Sequence, residues 1–180
     1  MRVLIIPGLH GSGPAHWQTW LQAHWPDALR VHQHDWAEPD LARWSRCIAE
    51  TIAAQPDTPW VAVAHSFGCL ALAHHLAQRT RRGIAAALFV APAEPERFGI
   101  ADRLPQHDLG VPAEMLTSDS DPWMTAGSAA RWARRWNARC TSLGDAGHVN
   151  VNSGHGPLPL ALQLTRGLMA RVPTLAAETA

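Results

Sequence analysis

The chain has no lysine. Its fifteen basic residues are all arginine, matched by fifteen Asp and Glu, so the formal net charge is zero. A phosphate loop ending in Gly-Lys-Ser/Thr and a Schiff-base lysine are thereby excluded. Neutrality also removes the electrostatic case for nucleic acid or an anionic membrane as partner. Cysteine is scarce: Cys47, Cys69 and Cys140 form an odd set without paired short spacing. That pattern fits free thiols in a reducing compartment better than a disulfide framework or a zinc site. Long apolar runs are missing too, and none approaches the ~20 residues of a membrane span. Met1 to Ile6 meets Pro7-Gly8 too soon for a signal peptide and reads as a first strand. The expectation is a cytoplasmic protein without a membrane segment.

At 180 residues the chain is long enough for one domain with a real hydrophobic core. Short apolar runs alternate with amphipathic ones, which predicts an α/β fold, a mostly parallel sheet of about six strands with helices on both faces. The strand candidates are residues 2–6, 29–33, 60–64, 85–90, 113–117 and 138–143. Helices are expected over 15–24, 39–54, 67–79, 126–137 and 159–172, with Asp40 as a cap and Leu41, Trp44, Ile48 and Ile52 at helical spacing. Residues 91–111, with Pro92, Pro95 and Pro105, read as a surface loop with a short helix, placed to line or cover a site. The Ala-rich tail, 175–180, is expected to fray.

In Val61-Ala-Val-Ala-His-Ser66-Phe-Gly-Cys69 a buried strand turns directly into a helix. Such a corner brings two backbones together, so the residues two before and two after must be small, as Ala64 and Gly68 are. It holds the Ser66 hydroxyl beyond the carboxyl edge of the sheet, where ligands of α/β proteins bind, beside free amides of the first helical turn. The motif is usually Gly-x-Ser-x-Gly, and here Ala replaces the first glycine. The competing reading is that Ser66 merely caps the helix.

A serine hydroxyl needs a base to take its proton, and that base needs a third group to fix its tautomer. Asp119 and Asp121 follow the strand at 113–117, and His148 sits in a glycine-flanked loop after the strand at 138–143. The order Ser, Asp, His is that of α/β-hydrolases. Asp121, next to Pro122, is preferred over Asp119, and Asp145 is assigned to a turn. The loop after the first strand, Pro7 to Trp17, would supply half of an oxyanion hole through the Leu9 amide, the other half being the Phe67 amide. Gly8, Gly11 and Gly13 do not match the dinucleotide fingerprint Gly-x-Gly-x-x-Gly.

Pro-Gly-x-x-Gly-Ser-Gly-Pro-x-His-Trp-Gln at 7–18, Ala-His-Ser-Phe-Gly-Cys at 64–69, Ser-x-x-Asp-Pro-Trp at 118–123 and Gly-His-Val-Asn-x-x-Ser-Gly at 147–154 together resemble a known group. It is the small α/β-hydrolase family that includes YdeN and retinoblastoma-binding protein nine. The resemblance spans roughly residues 3–169. It implies a minimal α/β-hydrolase domain over 1–174 with no large cap domain, a Ser-His-Asp triad matching Ser66, His148 and Asp121, no cofactor, and carboxylesterase-like activity on small esters, with amides or peptides as the alternative. Two departures are expected to reshape the pocket: Leu9 stands where an aromatic is common, and Leu158 where Trp often follows Gly-x. The retinoblastoma-binding motif matches no residues here, so protein partners stay undefined.

Eleven histidines raise a metal hypothesis, but neither His32 and His34 nor His74 and His75 come with convergent ligands, and no metal site is assigned. His10 and His16 in the first loop, with Trp17 and Trp123 at strand ends, are the candidates for substrate contact, and Trp36 is a further pocket-lining candidate. Trp20, Trp44 and Trp132 are assigned to the core. The rival from a different class is a catalytically inactive hydrolase fold serving as a protein-binding module. It would need an exposed apolar patch away from the strand ends.

Overall fold

The computed structural model describes residues 1–78 and 83–172. The elements run β1 (Arg2–Ile6), α1 (Trp17–Gln22), β2 (Leu29–Arg30), α2 (Leu41–Ala53), β3 (Trp60–Ser66), α3 (Phe67–Leu76), β4 (Ile84–Pro92), β5 (Ala113–Thr117), α4 (Ala126–Arg135), β6 (Ala138–Ser142) and α5 (Pro159–Arg171). The six strands form one parallel sheet in the order β2-β1-β3-β4-β5-β6. This is the α/β architecture expected from the sequence. The tail expected to fray, and the expected domain end at residue 174, lie outside the described residues.

Strands alternate their side chains between two cores. Leu4, Ile6, Ala62, Ala64 and Phe89 pack on one face with residues of α2, α3 and α4, while Val3, Ile5, Val61, Val63 and Val90 pack on the other with α1 and α5. Fully burying one such Leu, Ile or Phe is worth about 1.5 to 3 kcal/mol, so the central strands are firmly held. The helices start where local chemistry satisfies their first amides. Asp40 accepts from the Arg43 N–H at 3.0 Å, Thr125 from Ser128 at 3.2 Å, and His16 Nδ1 from Gln18 at 3.1 Å.

The chain goes from β1 outward to β2 and then returns across the sheet to β3 on the other side of β1. The loops after β1 and β3 therefore diverge and leave a crevice at their carboxyl ends. Gln18 spans that parting: its Nε2 donates to the Ile6 and Val63 carbonyls, both at 3.1 Å, and its Oε1 accepts from Ser12 Oγ at 2.6 Å. This pins the glycine-rich loop to the two strands.

Three expectations need correction. The second strand pairs only over Leu29–Arg30, because the chain leaves the sheet edge after the Val31 amide bonds the Ile5 carbonyl. The first helix is six residues instead of ten, because His16 opens it and its capping bonds close it at Ala23. Residues 91–111, expected as a surface loop with a short helix, are more ordered and more buried than that. They form two short 3-10 helices, Pro95–Phe98 and Ala101–Arg103, and Ile100, Leu104 and Leu109 enter the core. Only Phe98 of this segment reaches the cavity described below.

Candidate active site

Ser66 closes β3 with φ 53° and ψ −126°, and Phe67 opens α3. A non-glycine residue held there costs of order 1 to 3 kcal/mol and persists only where its surroundings impose it. They do. A Cβ on Gly68 would stand 2.4 Å from the Pro7 carbonyl oxygen and 2.7 Å from that of Ile6, so the start of α3 lies directly on the end of β1. Gly8 has a matching role that its sequence did not disclose. A Cβ there would stand 2.7 Å from Ser66 Cβ, so this glycine makes room for the serine itself. Ser66 makes no side-chain capping bond to the helix, which removes the cap reading.

Its hydroxyl is turned instead to His148, with Oγ 2.8 Å from Nε2. The opposite nitrogen, Nδ1, lies 2.9 and 3.0 Å from the two carboxylate oxygens of Asp121. A nitrogen facing a carboxylate carries the proton, so Nε2 presents its lone pair to the serine. Asp121 also accepts from the Trp123 amide at 2.8 Å, and its side chain is 3% exposed. The other acids are committed elsewhere: Asp119 accepts from Ser142 Oγ at 2.8 Å, and Asp145 from Ser120 Oγ.

Two serines join the loops that carry Asp121 and His148. Ser118 Oγ donates to the Gly144 carbonyl at 3.1 Å and accepts from the Ala146 amide at 3.0 Å, and Ser120 Oγ accepts from Gly147 at 3.1 Å. The His148 loop is also closed on its far side. Asn150 and Ser153 cap each other reciprocally, and Gly147, at φ 55°, leaves no room for a Cβ against Ser153 at 2.7 Å. The Gly-His-Val-Asn-x-x-Ser-Gly stretch is thus a built loop whose residues hold the imidazole in place.

His65 is the neighbour of His148 that the sequence did not single out. It is buried, its Nε2 donates to the His148 carbonyl at 3.0 Å, and its ring lies 5.0 Å from that of His148. Burial, then the neighbouring His148 and His16, hold its pKa well below the usual histidine value. The only sequence signal was its place immediately before the serine.

A cavity of about 360 Å³ opens over Ser66 and His148. Leu9, Phe98, Trp123 and Val151 give it apolar walls, and His10, His16, His65, Asn150 and Asn152 polar ones. Of the substrate-contact candidates, His10, His16 and Trp123 line it. Trp17 does not: it is fully buried behind His65, their rings meeting edge-on at 5.9 Å. Trp36 packs edge-on against Trp44 at 5.7 Å, and Trp20, assigned to the core, is only half-buried. The Leu9 amide has no hydrogen-bond acceptor among the described residues, and the Phe67 amide, first in its helix, has none within the helix. Among the described residues no group of three or more His, Cys, Asp or Glu could hold a metal ion, and no helix is long and apolar enough to cross a membrane. Cys47 and Cys69 are buried and Cys140 is exposed, all as free thiols.

The sequence matches the serine hydrolase family over residues 3–166. The chain belongs to that family, among the YdeN-like small α/β-hydrolases. The structure of a YdeN-like hydrolase from Pectobacterium atrosepticum is 35% identical, superposes with a TM-score of 0.88, and matches 96% of this chain and 92% of its own. The ydeN gene product of Bacillus subtilis shares the fold at 18% identity and a TM-score of 0.80, over 94% of this chain and 99% of its own. A hydrolase of the alpha/beta superfamily from Xanthomonas campestris does so at 16% and 0.65, over 94% and 97%. No curated protein matches the sequence. In this serine hydrolase the two departures part company: Leu9 lines the cavity, whereas Leu158 is buried at the start of α5 and does not touch it.

Proposed function

We propose that this hydrolase cleaves small esters by acyl transfer, with Ser66 as nucleophile, His148 as general base and then acid, and Asp121 as the group that orients the imidazole. As Ser66 Oγ attacks the substrate carbonyl carbon, its proton passes to His148 Nε2. The carbonyl oxygen takes up negative charge next to the Leu9 and Phe67 amides. Collapse expels the leaving alcohol, which takes the proton from Nε2, and leaves an acyl-serine. Water then repeats the sequence: it gives a proton to His148, adds to the acyl carbon, and releases the carboxylic acid as Ser66 regains its hydrogen. The observation that carries the reading is the unbroken relay from Ser66 Oγ to His148 Nε2, 2.8 Å, and from Nδ1 to Asp121, 2.9 Å.

The inactive-module reading finds no support in the surface. Among the described residues the exposed large hydrophobics are Met1, Trp123 and Val151, and the last two border the cavity over Ser66 instead of forming a separate patch.

A fluorophosphonate probe tests hydroxyl activation without a known substrate. The wild-type chain should be labelled and Ser66→Ala should not, while hydrolysis of p-nitrophenyl acetate by Ser66→Ala falls on the order of 10⁴-fold or more with the fold intact. Unchanged hydrolysis in Ser66→Ala ends the proposal.

A further inference from the structure

Ser66 and His148 come from distant parts of the sheet. Ser66 ends β3, His148 follows β6, and β4 and β5 lie between. Most of what holds residues 143–149 leads back to the loop after β5. The Leu143 amide donates to the Thr117 carbonyl and the Asp119 amide to that of Gly144, both at 2.8 Å, while Ser118, Ser120 and Asp121 bond Gly144, Ala146, Gly147 and His148. Among the described residues only two hydrogen bonds join this segment to β3. One is the reacting contact itself, Ser66 Oγ to His148 Nε2. In the other, His65 Nε2–H donates to the His148 carbonyl at 3.0 Å.

These two bonds differ in how long they last during turnover. The first is given up when Ser66 Oγ loses its proton and bonds the acyl carbon, since an ester oxygen has no hydrogen to donate. The second involves no reacting atom. In the acyl-enzyme it is therefore the one described hydrogen bond that still ties the base to the strand carrying the ester. Its acceptor is well placed for that task. The His148 carbonyl belongs to the peptide leading into Val149, whose φ of 47° a β-branched residue avoids. Holding that carbonyl holds the main chain from which the imidazole projects.

We propose that His65 is a positioning residue for deacylation: it holds the His148 main chain so that Nε2 stays beside the esterified serine. Water then gives its proton to Nε2 as its oxygen bonds the acyl carbon, and Ser66 Oγ takes that proton back as the ester bond breaks. Asp121 sets the rotation and tautomer of the ring, and His65 sets where the ring stands. This rests on the acyl-transfer reading above.

The test separates the two half-reactions with p-nitrophenyl acetate. Acylation is read from the first release of p-nitrophenolate, and deacylation from loss of the acetyl group, weighed on the acid-quenched protein. His65→Phe keeps a ring among those of His16, Trp17 and His148 but has no N–H. Its deacylation should fall about 10- to 100-fold, the cost of a misaligned base, with acylation, which starts from the intact Ser66–His148 bond, within about threefold of wild type. His65→Gln should restore deacylation to within about threefold, because burial keeps His65 uncharged and a carboxamide offers a neutral N–H at similar reach. His65→Asn, a donor one bond too short, carries the same expectation as His65→Phe and serves if that variant does not fold. Acylation slowed as much as deacylation, deacylation within threefold of wild type, or His65→Gln as slow as His65→Phe would each overturn the proposal. All three leave acetylation at Ser66 standing, whereas a wild-type chain that is never acetylated at Ser66 overturns the acyl-transfer reading and this proposal with it.

Discussion

Adding one methyl group at Gly8 probes the serine corner without replacing Ser66, His148 or Asp121. The alanine Cβ would lie 2.7 Å from Ser66 Cβ and 3.0 Å from the His65 carbonyl oxygen, where ordinary contact begins near 3.4 Å. Gly8 has no positive φ, so the substitution brings contact strain alone. Neither neighbour is the free end of a flexible side chain: one is held by the corner and the other is backbone. Ser66 or the loop must therefore move by about 0.7 Å, and displacements of that size cost on the order of 10- to 100-fold in rate where reacting groups must align. Overpacking should also lower stability by about 1 to 3 kcal/mol, a fall in Tm of roughly 2 to 12 °C for a chain of this length. Gly127→Ala is the control, because nothing lies within 4 Å of its added Cβ and it sits in the exposed first turns of α4. The assay is the rate of fluorophosphonate labelling together with thermal unfolding. If Gly8→Ala labels as fast as Gly127→Ala and melts at the same temperature, the account of the corner is wrong.

The acid assignment is separable from the rest: Asp121→Asn should lower kcat/KM on p-nitrophenyl acetate by about 10⁴-fold, and Asp119→Asn by no more than a few-fold, since Asp119 bonds Ser142 instead. The reverse order would exchange the two roles. Acid should destabilise the fold before its carboxylates titrate. Buried His16 and His75 titrate at about 4 when folded, from burial first, and His65 well below its usual value, whereas unfolded imidazoles take a proton near 6.5. Between those limits only the unfolded chain binds the protons, so stability present above about pH 6.5 is lost as pH falls toward 4, His75 alone accounting for on the order of 3 kcal/mol. Melting followed from pH 7.5 downward checks this. A Tm that stays level to about pH 5 refutes it, and His75→Phe should shallow the decline.

What could be read from the sequence followed from periodicity and local sterics. The central strands were legible because Val3 to Ile6, Val61 to Ala64 and Ala86 to Val90 are buried on both faces and so form unbroken apolar runs. Ser66 was legible because its corner demands small neighbours at fixed spacing. β2 was over-extended because an edge strand owes its length to a partner on one side alone. The ties that hold the site were not legible. Gln18, His65, Ser118 and Ser120 are single polar residues without a period, and each makes a tie to a residue 25 to 83 positions away. Trp17 was misplaced for a related reason: its position beside the loop is real, but the α1 cap turns its ring into the core.

Backbone strain is concentrated at this end of the molecule. Among the described residues five non-glycine positions have positive φ: His10, Ser66, Ala91, Asn137 and Val149. Asn137 follows α4, where asparagine commonly tolerates that conformation. The other four stand in the loop after β1, at the ends of β3 and β4, and directly after His148. Val149 is the most telling, since a β-branched residue at φ 47° is a genuine outlier and yet it is fully buried. At about 1 to 3 kcal/mol each, such positions survive only if neighbours over-determine them. The neighbours are identifiable: Gly8 and Gly68 around Ser66, and the His65 bond and the Asn150–Ser153 box on either side of Val149. The same contacts that hold the strain fix the Oγ to Nε2 alignment, so a change that relaxes Val149 should stabilise the fold while loosening Ser66 from His148.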